Sequence, residues 1–347
     1  MDTMYSTDQW LSSRREFLKG CSLGIAGIAL SPYELANGAS AEIQKPGVSK
    51  VSFTTGTDRR EMVYQLLKPF EREIKDGIKG KQVVIKSNFV RLDTPLCATH
   101  ADAVRGLLDF LTPIYKDPVV IGASTAMTDK AAVGFQNYGY MNLPSKYNVK
   151  LIDLNEEPST TLWILDKNRY PLNIEIINTF LNPKNYIISL TRLKSHNAVV
   201  ATLGIKNIVM GSPKNFYQVN NNEKSKMHEG GPVGINYNIF RIAEKVWPQL
   251  SILDGVEGME GNGPSRGTLV NHGVALAGTD ALAVDRVAVE LMGINYSDIG
   301  YLQWCGKAGF GQDDLAKIKI LGPDISSHKI TYKLHETIEY QLKWKNG

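Results

Sequence analysis

The stretch Val83-Val84-Ile85-Lys86-Ser87-Asn88 decides the fold, because it is a short apolar strand that ends in polar residues. A helix follows, for which Thr99 is a suitable N-terminal cap and which we expect to extend to about Tyr115. The next strand is Val119–Ile121. A strand, a helix and a strand at this spacing indicate a parallel sheet with right-handed crossovers. We therefore predict an α/β fold with a mostly parallel sheet and flanking helices.

The same alternation extends on both sides of this stretch. We predict strands at Val48–Thr55, Val149–Leu154, Tyr186–Leu190 and Leu250–Leu253, helices at Asp58–Ile74, Ile235–Val246 and Asp280–Met292, and a hairpin of Leu162–Leu165 with Leu172–Ile177. Near the C-terminus, Ile330–Leu334 and Ile338–Trp344 alternate with period two, which predicts a C-terminal β-hairpin. Residues 42–347 form a single α/β unit, in which we expect two lobes with a boundary near residues 155–185.

The N-terminus carries an export signal. Ser13-Arg14-Arg15-Glu16-Phe17-Leu18-Lys19 is typical of a twin-arginine signal, and an apolar run and the cleavage site Ala39-Ser40-Ala41 follow it. We therefore predict that residues 1–41 are a signal peptide, that the twin-arginine translocase is a partner during export, and that the protein is periplasmic. That pathway carries folded proteins, which favours a bound cofactor. The apolar run Leu23–Leu30 is shorter than a spanning helix needs, although a retained anchor is the alternative.

Composition excludes several classes of function. The formal net charge is only +4, and no run of lysine or arginine indicates a nucleic-acid interface. No segment after the signal is apolar enough to span a membrane. After cleavage only Cys97 and Cys305 remain, without any Cys-x-x-Cys, so we do not expect an iron–sulfur cluster. These two cysteines could form a disulfide outside the cytoplasm or remain as buried free thiols.

A first polar cluster follows the strand at residues 83–85. It contains Lys86 and Asn88, and His100 lies at the start of the next helix. Cations and amides beside a helix N-terminus suit an anion, and open α/β sheets place their sites at strand ends. We predict that Lys86 and Asn88 bind substrate and that His100 is an acid–base group. A surface lysine and a turn asparagine are the alternative.

A second cluster follows the strand at residues 186–190. It contains Lys194 and His196, and then Lys206 and Asn207 among small or apolar residues. Burial would lower the pKa of Lys206 and make it a candidate base, nucleophile or cofactor anchor. We predict His196 and Lys206 as catalytic residues, and Lys194 and Asn207 as ligands of a small anionic molecule. A solvated loop is the alternative.

A third cluster is acidic. Asp254, Glu257 and Glu260 are interleaved with glycines after the strand at residues 250–253. Carboxylates suit a hard cation or a general base, so we predict these three as metal ligands that share one cavity with Lys206. A tight loop with solvated acids is the alternative. Asp285, in an apolar stretch of a predicted helix, needs a partner if it is buried.

The order of these motifs matches a known family. The motifs are Lys86-x-Asn88, Thr99-His100, Lys194-x-His196, Lys206-Asn207, Asp254-Gly255, Met259-Glu260-Gly261-x-Gly263-Pro264, Asp280-x-x-Ala283-x-Asp285 and Met292-Gly293. Together they resemble the bacterial and archaeal family named domain of unknown function 362, over roughly Lys81 to Gly311. Many members of that family carry twin-arginine signals, and others carry ferredoxin-like cysteine motifs that this chain lacks. The resemblance implies an α/β fold, whereas the chemistry of the family is not known.

A more distant resemblance concerns the second cluster. His196, Gly204-Ile205-Lys206 and Gly211 are similar to a stretch of the lactate racemase family, although that pattern has two glycines before the lysine. The resemblance implies that Lys206 anchors a nickel pincer nucleotide and that His196 is a catalytic base. A metal ion or a pincer-type nucleotide is therefore an expected cofactor.

Our leading hypothesis is an exported enzyme that acts on a small anionic substrate with a metal or nucleotide-type cofactor. One alternative is a non-catalytic accessory protein that holds a metal or cofactor for a partner. Another is an isomerase similar to lactate racemase. An enzyme should place a histidine within hydrogen-bond reach of the ligand, whereas a carrier needs only cations and backbone amides there.

Overall fold

The computed structural model describes residues 47–218 and 221–346, so the predicted signal at residues 1–41 lies outside the described residues. The strands are β1 Ser49–Thr55, β2 Gln82–Ser87, β3 Val119–Ala123, β4 Val149–Asp153, β5 Ser159–Leu165, β6 Pro171–Ile177, β7 Asn185–His196, β8 Val200–Thr202, β9 Asn215–Gln218, β10 Asn221–Asn222, β11 Leu250–Glu260, β12 Thr268–Val270, β13 Val274–Gly278 and β14 Ile318–Leu321. The α-helices are α1 Arg59–Leu67, α2 Glu71–Ile78, α3 Ala101–Leu111, α4 Ala131–Asn137, α5 Asn178–Leu181, α6 Gly204–Val209, α7 Glu223–Lys226, α8 Gly231–Ala243, α9 Ala281–Leu291, α10 Gly300–Lys307 and α11 Ile338–Gln341.

Most strands belong to one sheet. Its order is β14-β1-β13-β11-β7-β2-β3-β4, with β12 added to β11 and β8 added to β7. The five strands β11, β7, β2, β3 and β4 are parallel to one another, whereas β13 is antiparallel to both of its neighbours. This confirms the predicted α/β fold with a mostly parallel sheet. The hairpin β5–β6 and the short pair β9–β10 stand apart from the sheet.

The direction in which successive strands are added to the sheet reverses between β2 and β7, because β3 and β4 lie on one side of β2, and β7 and β11 lie on the other. Helices α3 and α4, which link β2 to β3 and β3 to β4, pack on one face of the sheet. Helices α6 and α8, which lie between β7 and β11, pack on the opposite face. Because β2 and β7 are neighbours, the crevice at their carboxyl ends is a topological switch point, where open α/β sheets bind ligands.

Two strands are longer than predicted. β7 continues to His196 and β11 continues to Glu260, so the second and third polar clusters lie partly on strands rather than in loops. The reason is pairing on both sides: Met259 lies opposite Lys194 in β7, and also opposite a residue of β12. The register shifts between Asp254 and Met259, so β11 carries a bulge there.

The start of helix α3 also differs from the prediction. His100, not Thr99, is the N-terminal cap, and its Nδ1 accepts a hydrogen bond from the backbone N–H of Asp102. The Thr99 hydroxyl instead donates to the carbonyl of Leu190 (2.7 Å) and accepts from the backbone N–H of Asn88 (2.8 Å). Thr99 thus ties the end of β2 to β7.

The predicted C-terminal β-hairpin is wrong. The backbone N–H groups of Ile330 and Tyr332 donate to the carbonyls of Leu291 and Met292 at the end of α9, rather than to a second strand. The following residues form the short helix α11 and a 3₁₀ turn. Near Tyr332 the alternation arises because the segment lies extended across the body of the protein: Tyr332 is buried, while its neighbours Thr331 and Lys333 are exposed. Ile330, at the start of the segment, is exposed although it has the same parity as Tyr332.

Residues 155–185 contain the hairpin β5–β6, as the sequence indicated, and α5. Strands from before and after this range pair in the same sheet, so the division into two lobes there stays a prediction. Cys97 and Cys305 are both buried and free, which decides between the two alternatives for them. Within residues 47–218 and 221–346, no helix has the length and apolar character needed to cross a membrane.

Candidate functional site

A cavity of about 280 Å³ lies at the switch point, at the carboxyl ends of β2, β3 and β7. Its titratable and amide side chains are Lys86, Asn88, His196, Asn197, Lys206, Asn207, Lys224 and His228. Five of the predicted site residues are therefore brought together. Among the described residues that line it there is no aspartate or glutamate. The cavity consequently has an excess of positive charge.

Hydrogen bonds between asparagines and lysines connect the walls of the cavity. Asn88 donates through Nδ2 to Asn207 Oδ1 (2.9 Å) and accepts at Oδ1 from Lys194 Nζ (2.6 Å). Asn207 Nδ2 donates in turn to the carbonyl of Lys86 and the hydroxyl of Ser189, each at 3.1 Å. Lys194 thus lies behind the cavity and holds Asn88, whereas the sequence predicted it as a direct ligand of the anionic molecule.

Four lysines are almost entirely withdrawn from water: Lys86, Lys194, Lys206 and Lys224. Three of them donate to uncharged oxygens only. Lys86 Nζ donates to the Ser87 carbonyl (2.5 Å), Lys194 Nζ also to the Cys97 carbonyl (2.9 Å), and Lys224 Nζ to carbonyls that include that of Gly211 (3.2 Å). Burial is the main cause that lowers the pKa of Lys86, Lys194 and Lys206 to about 7 each.

Lys206 differs from the other three. It is 5% exposed, and its Nζ makes no hydrogen bond or ion pair with any of the residues that the structure describes. Its withdrawal from water, as predicted, is confirmed. The acidic residues expected as its partners do not reach it. A buried amine without a protein partner is costly unless it is neutral or meets a ligand.

A buried carboxylate fixes the helix that carries Lys206. Asp285 on α9 accepts hydrogen bonds from the backbone N–H groups of Gly204 (2.8 Å) and Ile205 (3.0 Å), the first residues of α6. This confirms that Asp285 needs a partner. Gly204 is required by the close approach, because a Cβ at this position would lie 2.0 Å from Ser251 Oγ.

The imidazole of His196 has a defined proton arrangement. Its Nδ1 accepts a hydrogen bond from the backbone N–H of Ala198 (3.0 Å), which assigns the proton to Nε2. Burial, followed by the nearby charge of Lys206, lowers the pKa of His196 well below its usual range, so the ring is neutral. Nε2 has no partner among the described residues. His196 can therefore donate a proton or hydrogen bond from Nε2, whereas the resemblance assigned it the role of a base.

The acidic cluster lies elsewhere. Arg59 on α1 binds Asp254 (Nε to Oδ2, 3.0 Å) and Glu257, and Arg192 on β7 also binds Glu257 (3.1 Å). Glu260 accepts from the backbone N–H of residue 333. The expected cavity shared by these carboxylates and Lys206 is wrong, since none of the three lines it. Within the part of the chain that the structure describes, no group of three or more His, Cys, Asp or Glu could hold a metal ion.

His100 lies with the acidic cluster rather than with the cavity. Its side chain is 36% exposed, and its Nδ1 is used to cap α3. Burial, and then the charges of Arg59 and Arg192, lower its pKa. The structure therefore separates the two histidines that were predicted as acid–base groups.

The sequence left His228 open as a ligand or an exposed residue of a flexible loop, and it did not indicate Lys224. Both belong to the segment that follows the pair β9–β10, where no regular apolar spacing marks the direction of a side chain. Lys224 is buried, whereas His228 is exposed to solvent while it lines the cavity. The combination of a lysine and a histidine before Gly230-Gly231 was the only sequence signal for His228.

A larger cavity of about 560 Å³ lies beside β2, β3 and β4, away from these lysines. Its floor consists of Val84, Val120 and Ile152, and Glu157 is the only lining residue of those described that carries a charge. Because the lysine cavity concentrates buried groups that can transfer protons, it is the better candidate for a site.

Comparison with solved structures gives two matches, both with low sequence identity and a low TM-score. The lactate racemase apoprotein from Thermoanaerobacterium thermosaccharolyticum is 15% identical with a TM-score of 0.38, and the match covers 70% of this chain and 56% of that chain. A protein from Thermotoga maritima is 15% identical with a TM-score of 0.33, over 59% of this chain and 52% of that one. At these values the two likenesses carry no inference about chemistry.

Sequence comparison gives a closer relation. The Thylakoid-associated protein sll1697 of Synechocystis sp. is 25% identical over 232 residues, which are 63% of this chain and 65% of the relative. The chain thus spans slightly less than two thirds of that relative's length. The model of the family described as Domain of unknown function (DUF362) matches residues 83–290, more than half of the chain, and confirms the resemblance inferred from the motifs. This protein belongs to the DUF362 family.

Proposed function

We propose that the cavity at the switch point binds a small anionic molecule and transfers a proton to or from it. One observation carries this proposal: four buried lysines surround or line a cavity without a carboxylate, and Lys206 has no partner among the described residues. An anion would compensate this charge. The chemical class is a small carboxylate or phosphate compound, because the cavity measures about 280 Å³.

The two central groups have complementary protonation states. With a pKa of about 7, the amine of Lys206 is neutral in about half of the molecules at pH 7 and can accept a proton. The neutral ring of His196 holds its proton on Nε2 and can donate a hydrogen bond from it. In one turnover Lys206 Nζ would take a proton from the bound anion and return it as the ammonium, while His196 stays neutral and donates a hydrogen bond from Nε2 to the oxygen on which charge develops. Lys86 and Asn207 would hold the anionic group in place.

A pincer-type nucleotide, which the distant resemblance implies, would fit this set of side chains. It is anionic, the cavity is cationic, and the amine of Lys206 is available as its anchor. When bound, such a group would supply a Lewis-acidic nickel centre. Lys206 would then be the anchor rather than the proton acceptor, whereas the other residues would keep their tasks: Lys86 and Asn207 would orient the anion, and His196 would hold a proton at Nε2.

An accessory protein that only stores an anion is the alternative. The position of His196 favours the enzyme, because a neutral histidine with an available N–H lines the same cavity as Lys206. Storage would require only the lysines and the asparagines.

Reactivity of the lysines tests the proposal. Reductive methylation with formaldehyde and cyanoborohydride at pH 7, followed by mass spectrometry, should label Lys206 faster than the exposed Lys150, since only a neutral amine reacts. Inorganic phosphate at millimolar concentration should slow the labelling of Lys206 and leave Lys150 unaffected. Phosphate binding should also be lost in the Lys206→Met variant, which keeps the apolar stem, and retained in the matched control Lys150→Met.

Two outcomes would contradict the proposal. One is labelling of Lys206 at the rate of Lys150, which would show an ordinary ammonium. The other is the absence of any calorimetric signal for binding when the wild-type protein is titrated with phosphate or with small carboxylates such as lactate. In that case the charge in the cavity would be compensated by other means.

We further propose that the chain is exported through the twin-arginine pathway, on the basis of Arg14 and Arg15. Replacing both with lysine should leave full-length protein in the cytoplasm, as measured by cell fractionation and immunoblotting. Undiminished export of this variant would exclude that pathway.

A further inference from the structure

We infer that the C-terminal strap, residues 330–341, positions His196 in the cavity, and that Gln341 is the positioning residue. The strap is the alternating segment in which the sequence indicated a hairpin. It lies on the outer side of the turn that connects β7 to β8, and the first residue of this turn is His196. The inference deepens the proposed function, and it rests on that function only in treating His196 as part of the site.

Gln341 is 1% exposed and uses both ends of its amide on this turn. Its Oε1 accepts from the backbone N–H of Val200 (2.6 Å), and its Nε2 donates to the backbone carbonyl of His196 (2.9 Å). A second residue of the strap, Thr337, donates through its hydroxyl to the carbonyl of Asn197 (3.1 Å). One helical turn of the strap therefore contacts the polypeptide on both sides of the His196–Val200 turn.

The turn itself is strained. Val200 has a φ of 66°, in the left-handed region that a β-branched residue adopts only with strain. Such a conformation persists only when its surroundings determine it. Two contacts hold Val200 there: its pairing with His196 in the β7–β8 ladder and the hydrogen bond from its backbone N–H to Gln341.

The strap also holds the opposite part of the cavity wall. The backbone N–H of Gly261 donates to the carbonyl of Lys333 (2.6 Å), and Asn262 donates through Nδ2 to Glu336 (3.2 Å). These residues begin the loop that brings Pro264 to the cavity. The strap consequently joins two segments that are far apart in sequence, and it fixes the distance between them at the site.

Carbethoxylation of histidines by diethylpyrocarbonate can test this without any ligand. In the Gln341→Met variant, which preserves volume but removes both hydrogen bonds, His196 should react about fivefold faster or more, because each lost bond favours local opening. His228 lines the same cavity, and its backbone N–H donates to the carbonyl of Ser225 rather than to the strap, so its rate should be unchanged. Gln136→Met, at an exposed glutamine, is the matched control and should alter neither rate.

A second variant separates positioning from general stability. Glycine adopts a φ near 66° without strain, so in the double variant Val200→Gly/Gln341→Met the turn should persist without the strap. The rate at His196 should then return to within about twofold of the rate in Val200→Gly alone. Relief of strain at residue 200 and loss of its buried side chain act in opposite directions on stability, so urea unfolding of the same variants is measured alongside. Rescue of the rate at His196 without a matching recovery in the free energy of unfolding identifies a positioning role, whereas parallel recovery of both would indicate a merely structural one.

Two results would overturn the inference. Equal acceleration at His196 and His228 in Gln341→Met would indicate general loosening, and unchanged rates at both would show that the strap does not hold His196. Failure of phosphate to protect Lys206 would contradict the proposed function only, because the rates at His196 are measured without phosphate. If Gln341→Met does not fold, Gln341→Glu retains the acceptor for Val200 and should accelerate His196 alone.

Discussion

Two clusters of charge stand side by side on strand β7, and they differ in how the charge is compensated. Arg192 and Lys194 are two residues apart, so their side chains leave the same face of the sheet. The guanidinium of Arg192 meets Glu257, which also binds Arg59, and Arg59 binds Asp254. The ammonium of Lys194 meets only amide and carbonyl oxygens.

This difference separates a cluster that stabilises the fold from a cluster that can bind a ligand. The first, the arginine cluster, consists of Arg59, Arg192, Asp254 and Glu257, and the second is the lysine cavity. In the arginine cluster the positive and negative groups are equal in number and satisfied within the protein, so a ligand has nothing to add. In the lysine cavity the described residues provide cations without anions. Burying such charge is unfavourable in the free protein, and the energy is recovered when an anion binds or a proton leaves. The following predictions test this contrast.

The largest effect is expected in the arginine cluster. Arg59→Met should lower the free energy of unfolding by about 3 kcal/mol or more, because it leaves the carboxylate of Asp254 buried and without its partner. Urea unfolding measures this. The neighbouring Arg60, whose pair with Asp109 is largely exposed, is the matched control, and Arg60→Met should cost less than about 1 kcal/mol. Equal losses in the two variants would show that Arg59 is not part of the scaffold.

A smaller effect is expected at the carboxylate behind the cavity. Asp285→Ala should lower the free energy of unfolding by about 2 kcal/mol, since the backbone N–H groups of Gly204 and Ile205 lose their acceptor. Hydrogen exchange should accelerate at these two amides first, and Lys206 in the same helix should become more reactive. Asp285→Asn, which retains one acceptor oxygen, should have an intermediate effect. Unchanged exchange at both amides would contradict the role of Asp285.

A pH dependence should distinguish Lys206 from an ordinary lysine. Its pKa is about 7 in the folded protein and 10.5 ordinarily, so between these values the unfolded chain binds the additional proton. Stability must then rise as the pH rises above 7, and the penalty is fully present below 7. From pH 7 to pH 8 the free energy of unfolding should increase by about 1 kcal/mol more in the wild type than in Lys206→Met. Parallel curves for the two proteins would show that Lys206 is paired.

The sequence predicted the parts of this contrast that depend on local pattern. A strand, a helix and a strand between residues 83 and 121 indicated the parallel sheet, and the rule for strand ends placed Lys86 and His196 at one edge. The burial of Lys206 followed from its apolar neighbours. These features require only the spacing of residues that are close in the chain.

The parts that failed depend on contacts across the chain. The partner of Asp254 is Arg59, 195 residues away, and no local pattern assigns a salt bridge at that separation. The alternation around Tyr332 fits a hairpin strand and an extended segment equally well, because both bury every second residue. Residues 338–344 continue the alternation but form helical turns, because no second strand pairs with them. His100 was assigned to the site from its position at a helix start, whereas the bulge in β11 and the arginines determine what surrounds it.

The smallest effect is expected at His100, and it tests the boundary between the two clusters. His100→Asn should change the free energy of unfolding by less than about 0.5 kcal/mol, because asparagine is also a good N-terminal cap and can accept from the backbone N–H of Asp102. Protection of Lys206 by phosphate should be unchanged, since His100 does not line the cavity. Loss of that protection, with stability intact, would mean that the ligand extends from the lysines to the arginine cluster. The two clusters would then form one site, and the balanced charges around Arg59 would have to be counted as part of the binding machinery rather than as its support.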